Sequence, residues 1–149
     1  MKKTVIFFLM LVATATAFAA DRGVAVKATA AAVEKERKTA LVIGNSAYLV
    51  SPLKNPANDA KAMSKVLREL GFSVDERTNL SQNEMKQAVE AFGRNIKQGG
   101  VGLFFYAGHG MQVNGRNYLV PVDADIEGEA EVEIKAVDAG AVLAKMDMA

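Results

Sequence analysis

Two uncharged, largely apolar runs constrain this chain more than anything else in it: Thr39-Ala-Leu-Val-Ile43, closed by Gly44-Asn45, and Val101-Gly-Leu-Phe-Phe-Tyr-Ala107, closed by Gly108. Short continuous apolar runs bounded by turn residues suit strands buried on both faces of a parallel sheet, which needs helices above and below it. The intervening sequence supplies them. Asn55-Pro56 predicts an N-cap followed by proline at the first helical position, and Ala60, Met63, Val66, Leu67 and Leu70 then share one face opposite Lys61, Lys65, Arg68 and Glu69. Gly71 ends that helix, and Phe72 to Arg77 alternates weakly, as a second strand would. Ser81 and Glu84 have the spacing of a capping box, with Leu80 and Met85 placed as a hydrophobic staple. The second helix then buries Met85, Val89, Phe92 and Ile96 and breaks at Gly99-Gly100. Strand, helix, strand, helix, strand predicts an α/β fold with right-handed crossovers, a mainly parallel sheet and helices on both faces.

Downstream, Met111 to Val120 carries Asn114-Gly115 between short alternating runs, the signal of a β-hairpin, and Pro121 stops it. Asp123 to Glu133 reads as an acidic loop, and Asp138 as the cap of a last helix through Met146.

The chain has 149 residues, the size of one domain. Its first residues are expected to be a secretory signal over 1–19. Met1-Lys2-Lys3 is a positive start, Thr4 to Val12 is almost unbroken apolar sequence too short to span a bilayer, and Ala17-Phe18-Ala19 suits a signal peptidase. Residues 20–37 read as a linker, and the domain as 38–149. The product would be exported, periplasmic or secreted, with no membrane attachment after cleavage.

With 18 Lys+Arg against 17 Asp+Glu, the chain has no basic excess, which disfavours nucleic acid as a partner. It has no cysteine, excluding a disulfide framework, a thiolate zinc site and a cysteine nucleophile within these residues. A single histidine, His109, excludes a multi-histidine metal cluster. The acids from Asp123 to Glu133 lack the ligand pattern of a calcium loop and read as a solvated segment; no metal and no cofactor are expected.

In parallel α/β sheets function collects at the carboxyl ends of the strands. Two such ends carry polar residues: Gly44-Asn45-Ser46-Ala47-Tyr48 and Gly108-His109-Gly110-Met111. Glycine on both sides lets the backbone turn off the strand and leaves the imidazole uncrowded, as a general base requires, and the Gly110 N–H is placed to face a developing oxyanion. The plainer reading of Gly-His-Gly is a tight turn with an exposed histidine; the tripeptide alone does not choose.

The wider pattern resembles a family, the caspase-like cysteine peptidases of the C14 group, with their metacaspase and orthocaspase relatives. The similarity runs from about Lys38 onward through Ala-Leu-Val-Ile-Gly44-Asn45-x-x-Tyr48, Leu53-Lys-Asn-Pro56-Ala-Asn58-Asp59-Ala60, Leu70-Gly71-Phe72, Phe104-Phe-Tyr106-Ala-Gly108-His109-Gly110 and Asn117-Tyr118-Leu119-Val-Pro121-x-Asp123. The resemblance implies a three-layer αβα sandwich, the p20 domain of that family. It implies a peptide or protein substrate cleaved through a thioester, His109 as catalytic histidine and the Gly110 amide as part of the oxyanion hole. Asp59 matches the acid with which metacaspase-like members receive an Arg or Lys P1 side chain; alternatively it is an ordinary acid favoured by a helix N-terminus. Asn45 and Tyr48 are expected to pack the loop rather than to catalyse.

One departure is large. The family's nucleophile sits in an Asp-x-Cys segment at the end of a fourth strand, and these residues contain no such segment. The sheet is therefore expected to be incomplete on its C-terminal side. The chain is expected to be a fragment, a truncated frame or the first half of a split enzyme, inactive until a cysteine-bearing segment or chain joins it. Ser46 offers no substitute, since it lacks a Gly-x-Ser-x-Gly elbow. The alternatives are a non-catalytic caspase-like interaction module using the open sheet edge, and a flavodoxin-like domain binding a small ligand, for which no phosphate-binding glycine pattern is present.

Overall fold

β1 (Lys38–Gly44) is the apolar run expected to be buried, and its residues Ala40 to Ile43 are fully buried. The computed structural model describes residues 36–97 and 100–147, so the signal expected over 1–19 and nearly all of the linker expected over 20–37 lie outside the described residues. β1 pairs in parallel with β2 (Ser73–Thr78) on one side and with β3 (Val101–Ala107) on the other, giving the order β2-β1-β3. Its alternate side chains feed two cores. Ala40 and Val42 pack with Ala60 and Leu67 of α1 (Pro56–Glu69); Leu41 and Ile43 pack with Met85, Val89, Phe92 and Ile96 of α2 (Gln82–Ile96). This is the αβα layering that the two apolar runs require.

Beyond β3 the chain forms a second sheet. β4 (Gly110–Val113) and β5 (Arg116–Leu119) make the expected hairpin, and both central residues of its turn have positive φ, 51° at Asn114 and 78° at Gly115, as a type I′ turn requires. β6 (Val137–Asp138) adds antiparallel to β5, an element without a sequence signal. α4 (Ala139–Asp147) follows, with the Asp138 carboxylate accepting from Gly140 N–H at 2.8 Å as the expected cap. Val142 of α4 joins Leu119 and Val137 in the core under α2.

Three expectations are corrected. The acidic stretch is not loop throughout: α3 (Glu129–Lys135) forms there, with Val132 fully buried and Glu131 paired with Lys135 one turn on. The buried face of α1 is Pro56, Ala60, Ser64 and Leu67, whereas Val66 and Leu70 are half or more exposed, because small residues let the helix lie close to β1. Asn55 makes no side-chain cap; Ser46 Oγ, from the loop after β1, accepts from Ala57 N–H at 3.0 Å instead.

The capping box of α2 is present: Ser81 accepts from Glu84 N–H, and the Glu84 carboxylate accepts from Ser81 N–H at 2.8 Å. The Ser81 hydroxyl, donating to the Glu84 carboxylate at 2.6 Å, and then the Ser81 N–H hold that carboxyl below its ordinary range. Asp123 adds a further acceptor, taking Gln82 N–H at 2.9 Å. Ser81→Ala should lower the unfolding free energy by about 1 kcal/mol, read as a shift in the urea midpoint. An unchanged midpoint would show that Asp123 alone satisfies the helix end.

Candidate active site at the carboxyl edge of the sheet

The polar groups gather where β1, β2 and β3 end. Asn45 leaves β1 with its N–H bonded to Ala107 O at 2.9 Å, so the loop starts tied to the end of β3. Its side chain is fully buried: Oδ1 accepts from Leu80 N–H at 2.9 Å, and Nδ2 faces the carbonyls of Leu80 at 3.5 Å and Val120 at 3.4 Å. Asn79, at the end of β2 with φ 55°, accepts from Ser46 and Ala47 N–H at 2.9 and 3.0 Å. The loop from Asn45 is thus fixed at its base before it reaches Tyr48.

Tyr48 is buried beneath His109. Its ring lies 4.4 Å from the imidazole, centroid to centroid, at 55°, and its hydroxyl accepts from His109 N–H at 2.8 Å. The Tyr106 hydroxyl donates towards Val120 O at 2.8 Å and His109 O at 3.0 Å, and the two phenol oxygens are 3.1 Å apart. Burial is the main cause that pushes the Tyr48 phenol above its ordinary range, and burial with the neighbouring Tyr48 pushes Tyr106 well above it.

A pH dependence follows. Unfolded phenols ionise near pH ~10, whereas the folded chain holds these protons to higher pH. Below the unfolded value their contribution is complete; as pH rises from there through the folded values the unfolded chain binds fewer protons and stability is lost. Urea midpoints should therefore fall steeply above pH ~10, and less steeply in Tyr106→Phe. Equal slopes for the two proteins would show that Tyr106 is not the group responsible.

His109 itself is half-buried, and its Nε2 lies 2.7 Å from Ser51 O. A carbonyl only accepts, so this bond requires the proton on Nε2 and leaves Nδ1 of the neutral ring as the base. Ser51 reaches that position with φ 58°, in the left-handed region where a serine is uncommon. Nothing in the sequence pattern marks a main-chain acceptor 58 residues from the histidine.

Gly110 opens β4. Val120 N–H donates to His109 O at 3.0 Å, which makes Gly110 and Leu119 the non-hydrogen-bonded kind of antiparallel pair. The Gly110 N–H is consequently not spent on β5 and faces away from it, beside the imidazole-bearing residue. Asp59 lies in the first turn of α1 and is half-buried at the same end of the sheet. Among the described residues its carboxylate shares no hydrogen bond or ion pair with His109 or Gly110, so the structure does not join Asp59 to these two consecutive residues. No group of acids and histidine among the described residues is arranged to hold a metal ion. No helix among them is long and apolar enough to cross a membrane.

A histidine leaving the last of three parallel strands, flanked by glycines and followed by an Asn-Gly hairpin, is the arrangement found on this chain where the sequence model of the peptidase C14 caspase domain matches, over residues 37–143. The chain belongs to that family. The chain is 42% identical over 88 residues to mucosa-associated lymphoid tissue lymphoma translocation protein 1 of Homo sapiens and, equally, to its homologue in Mus musculus. Each match covers 58% of this chain and 11% of the relative, so the similarity concerns a small part of much longer proteins.

Within this caspase domain β3 is bonded to β1 alone among the described residues, and its residues from Val101 to Tyr106 are only half-buried. One row of its backbone groups thus borders His109 unpaired.

Proposed function

We propose that these residues form the histidine-bearing part of a cysteine endopeptidase whose thiol comes from outside the 149 residues, on a strand added to the free side of β3. The observation that carries the reading is the placement of His109: Nε2 bonded to Ser51 O, Nδ1 left as base, at the end of the strand whose edge is open. Adjacent strands lie roughly 4.8 Å apart, so a thiol at the end of an added strand comes within reach of the imidazole.

In this scheme His109 Nδ1 takes the thiol proton and the thiolate attacks the peptide carbonyl. The oxyanion that forms faces the Gly110 N–H. Collapse breaks the C–N bond, with the proton passing from the imidazole to the departing amine, and water then hydrolyses the thioester with His109 again as base. Asp59 is the acid for an Arg or Lys P1 side chain, as the metacaspase-like pattern implies. The Met1-Lys-Lys start, apolar run and Ala-x-Ala site support export of the chain.

The test mixes the chain with the cysteine-bearing segment of a caspase-domain relative and follows hydrolysis of fluorogenic peptides ending in Arg, Lys or Asp. Cleavage after Arg and Lys that needs both components supports the proposal. A stable complex with no hydrolysis of any substrate contradicts it and favours an interaction module acting through the β3 edge.

A further inference from the structure

Both main-chain polar groups of His109 are gripped by phenols from different parts of the chain. Its N–H donates to the Tyr48 hydroxyl at 2.8 Å, and its carbonyl accepts from the Tyr106 hydroxyl at 3.0 Å as well as from Val120 N–H at 3.0 Å. Because Tyr48 accepts from His109, its single proton remains for Val120 O, 3.1 Å away, or for the Tyr106 oxygen. The two hydroxyls converge on the space beside Gly108, where a Cβ would lie 2.5 Å from each of them. Glycine at 108 therefore has a purpose besides letting the chain turn: any side chain there would displace the two phenols that hold the next residue.

We propose that Tyr48 is the positioning residue of the candidate catalytic histidine, its hydroxyl fixing the His109 main chain and its ring supporting the imidazole so that Nε2 meets Ser51 O. Two features separate this role from loop packing. The hydroxyl acts on the histidine's own peptide N–H rather than on a neighbour. The ring faces the imidazole at 4.4 Å, while the same loop, three residues on, supplies the Ser51 carbonyl that bonds the imidazole. One short segment, from Tyr48 to Ser51, thus holds the histidine's main chain and its ring nitrogen together. Tyr106 completes the grip from the carbonyl side.

The catalytic meaning of this role rests on the peptidase reading, but its direct test does not. His109 is the only histidine, so its ring resonances in the full chain are unambiguous. Three-bond couplings that report χ1 and nuclear Overhauser contacts from the ring to Ser51 Hα are measured for the wild type, Tyr48→Phe, Tyr106→Phe and Tyr118→Phe. The last removes a hydroxyl bonded to Glu133, away from the site. The wild type and Tyr118→Phe should show one rotamer with the Ser51 contact. Tyr48→Phe should show averaged couplings and at least a two-fold weaker contact, although its spectrum remains that of a folded protein. If Tyr48→Phe does not fold, Tyr106→Phe is read in its place, with the same averaging expected. Wild-type couplings in a folded Tyr48→Phe, or in Tyr106→Phe where that substitutes for it, would overturn the proposal and return Tyr48 to loop packing.

In the assembled enzyme the same Tyr48→Phe change should lower kcat about ten- to a hundred-fold with KM unchanged, since a misaimed base costs rate rather than binding. Averaged couplings without any hydrolysis by the wild-type assembly would refute the peptidase reading while leaving the positioning role standing.

Discussion

His109→Ala, mixed with a cysteine-bearing caspase segment, is expected to retain less than about a thousandth of the wild-type kcat/KM, because both thiol activation and leaving-group protonation lose their only proton carrier. No other imidazole exists on the chain to take over. The fold should survive the change, since the ring is half-buried and its bond is to one exposed loop carbonyl. His109→Gln keeps a donor for Ser51 O but offers no base, and it should be as inactive as the alanine variant. Circular dichroism and binding of the cysteine-bearing segment should match the wild type for both. Activity within ten-fold of wild type in either variant would remove His109 from the chemistry.

The largest effect on stability is expected at Asn45. Its carboxamide lies at the join of three segments, taking Leu80 N–H at 2.9 Å before α2 and facing Val120 O after β5. Asn45→Ala leaves a buried N–H without a partner and opens a gap beside the Met85 sulfur, 3.5 Å from Nδ2. An unsatisfied buried donor costs about 1–3 kcal/mol, and the lost packing adds to it, so a total of about 3 kcal/mol is expected from urea unfolding. The loss should spread to the site, because Val120 O is also where Tyr48 and Tyr106 point their hydroxyls. A change below about 1 kcal/mol would mean that the loop after β1 holds its shape without this residue.

How far the sequence reveals all this depends on the range of the forces involved. β1, β3, α2 and the hairpin are legible because each carries its own pattern: uninterrupted apolar runs, a reciprocal capping box and an Asn-Gly turn. α3 is not, since acids at alternate positions from Asp123 to Glu133 look like solvated loop; the burial of Val132 and the Lys135 pair with Glu131 decide it. β6 is two residues long and exists only because β5 offers an edge. The exposed side of α1 is not legible either, because hydrophobicity assigns Val66 to the core, whereas close approach to β1 selects Ala60 and Ser64.

The candidate site divides in the same way. His109 and Gly110 are legible at a strand end. Tyr48 is visible as part of a pattern, but its bond to an N–H 61 residues away is not, and a carbonyl such as that of Ser51 has no sequence signature at all.

The peptidase reading rests on the claim that a thiol-bearing strand seats against β3 beside the histidine. Amide hydrogen exchange along Val101 to Ala107, measured for the chain alone and after addition of the cysteine-bearing segment, addresses it most directly. Alternate amides of β3, those not bonded to β1, should exchange readily alone and gain at least a hundred-fold protection on addition. Binding of the segment that leaves every β3 amide at its original rate would contradict the claim.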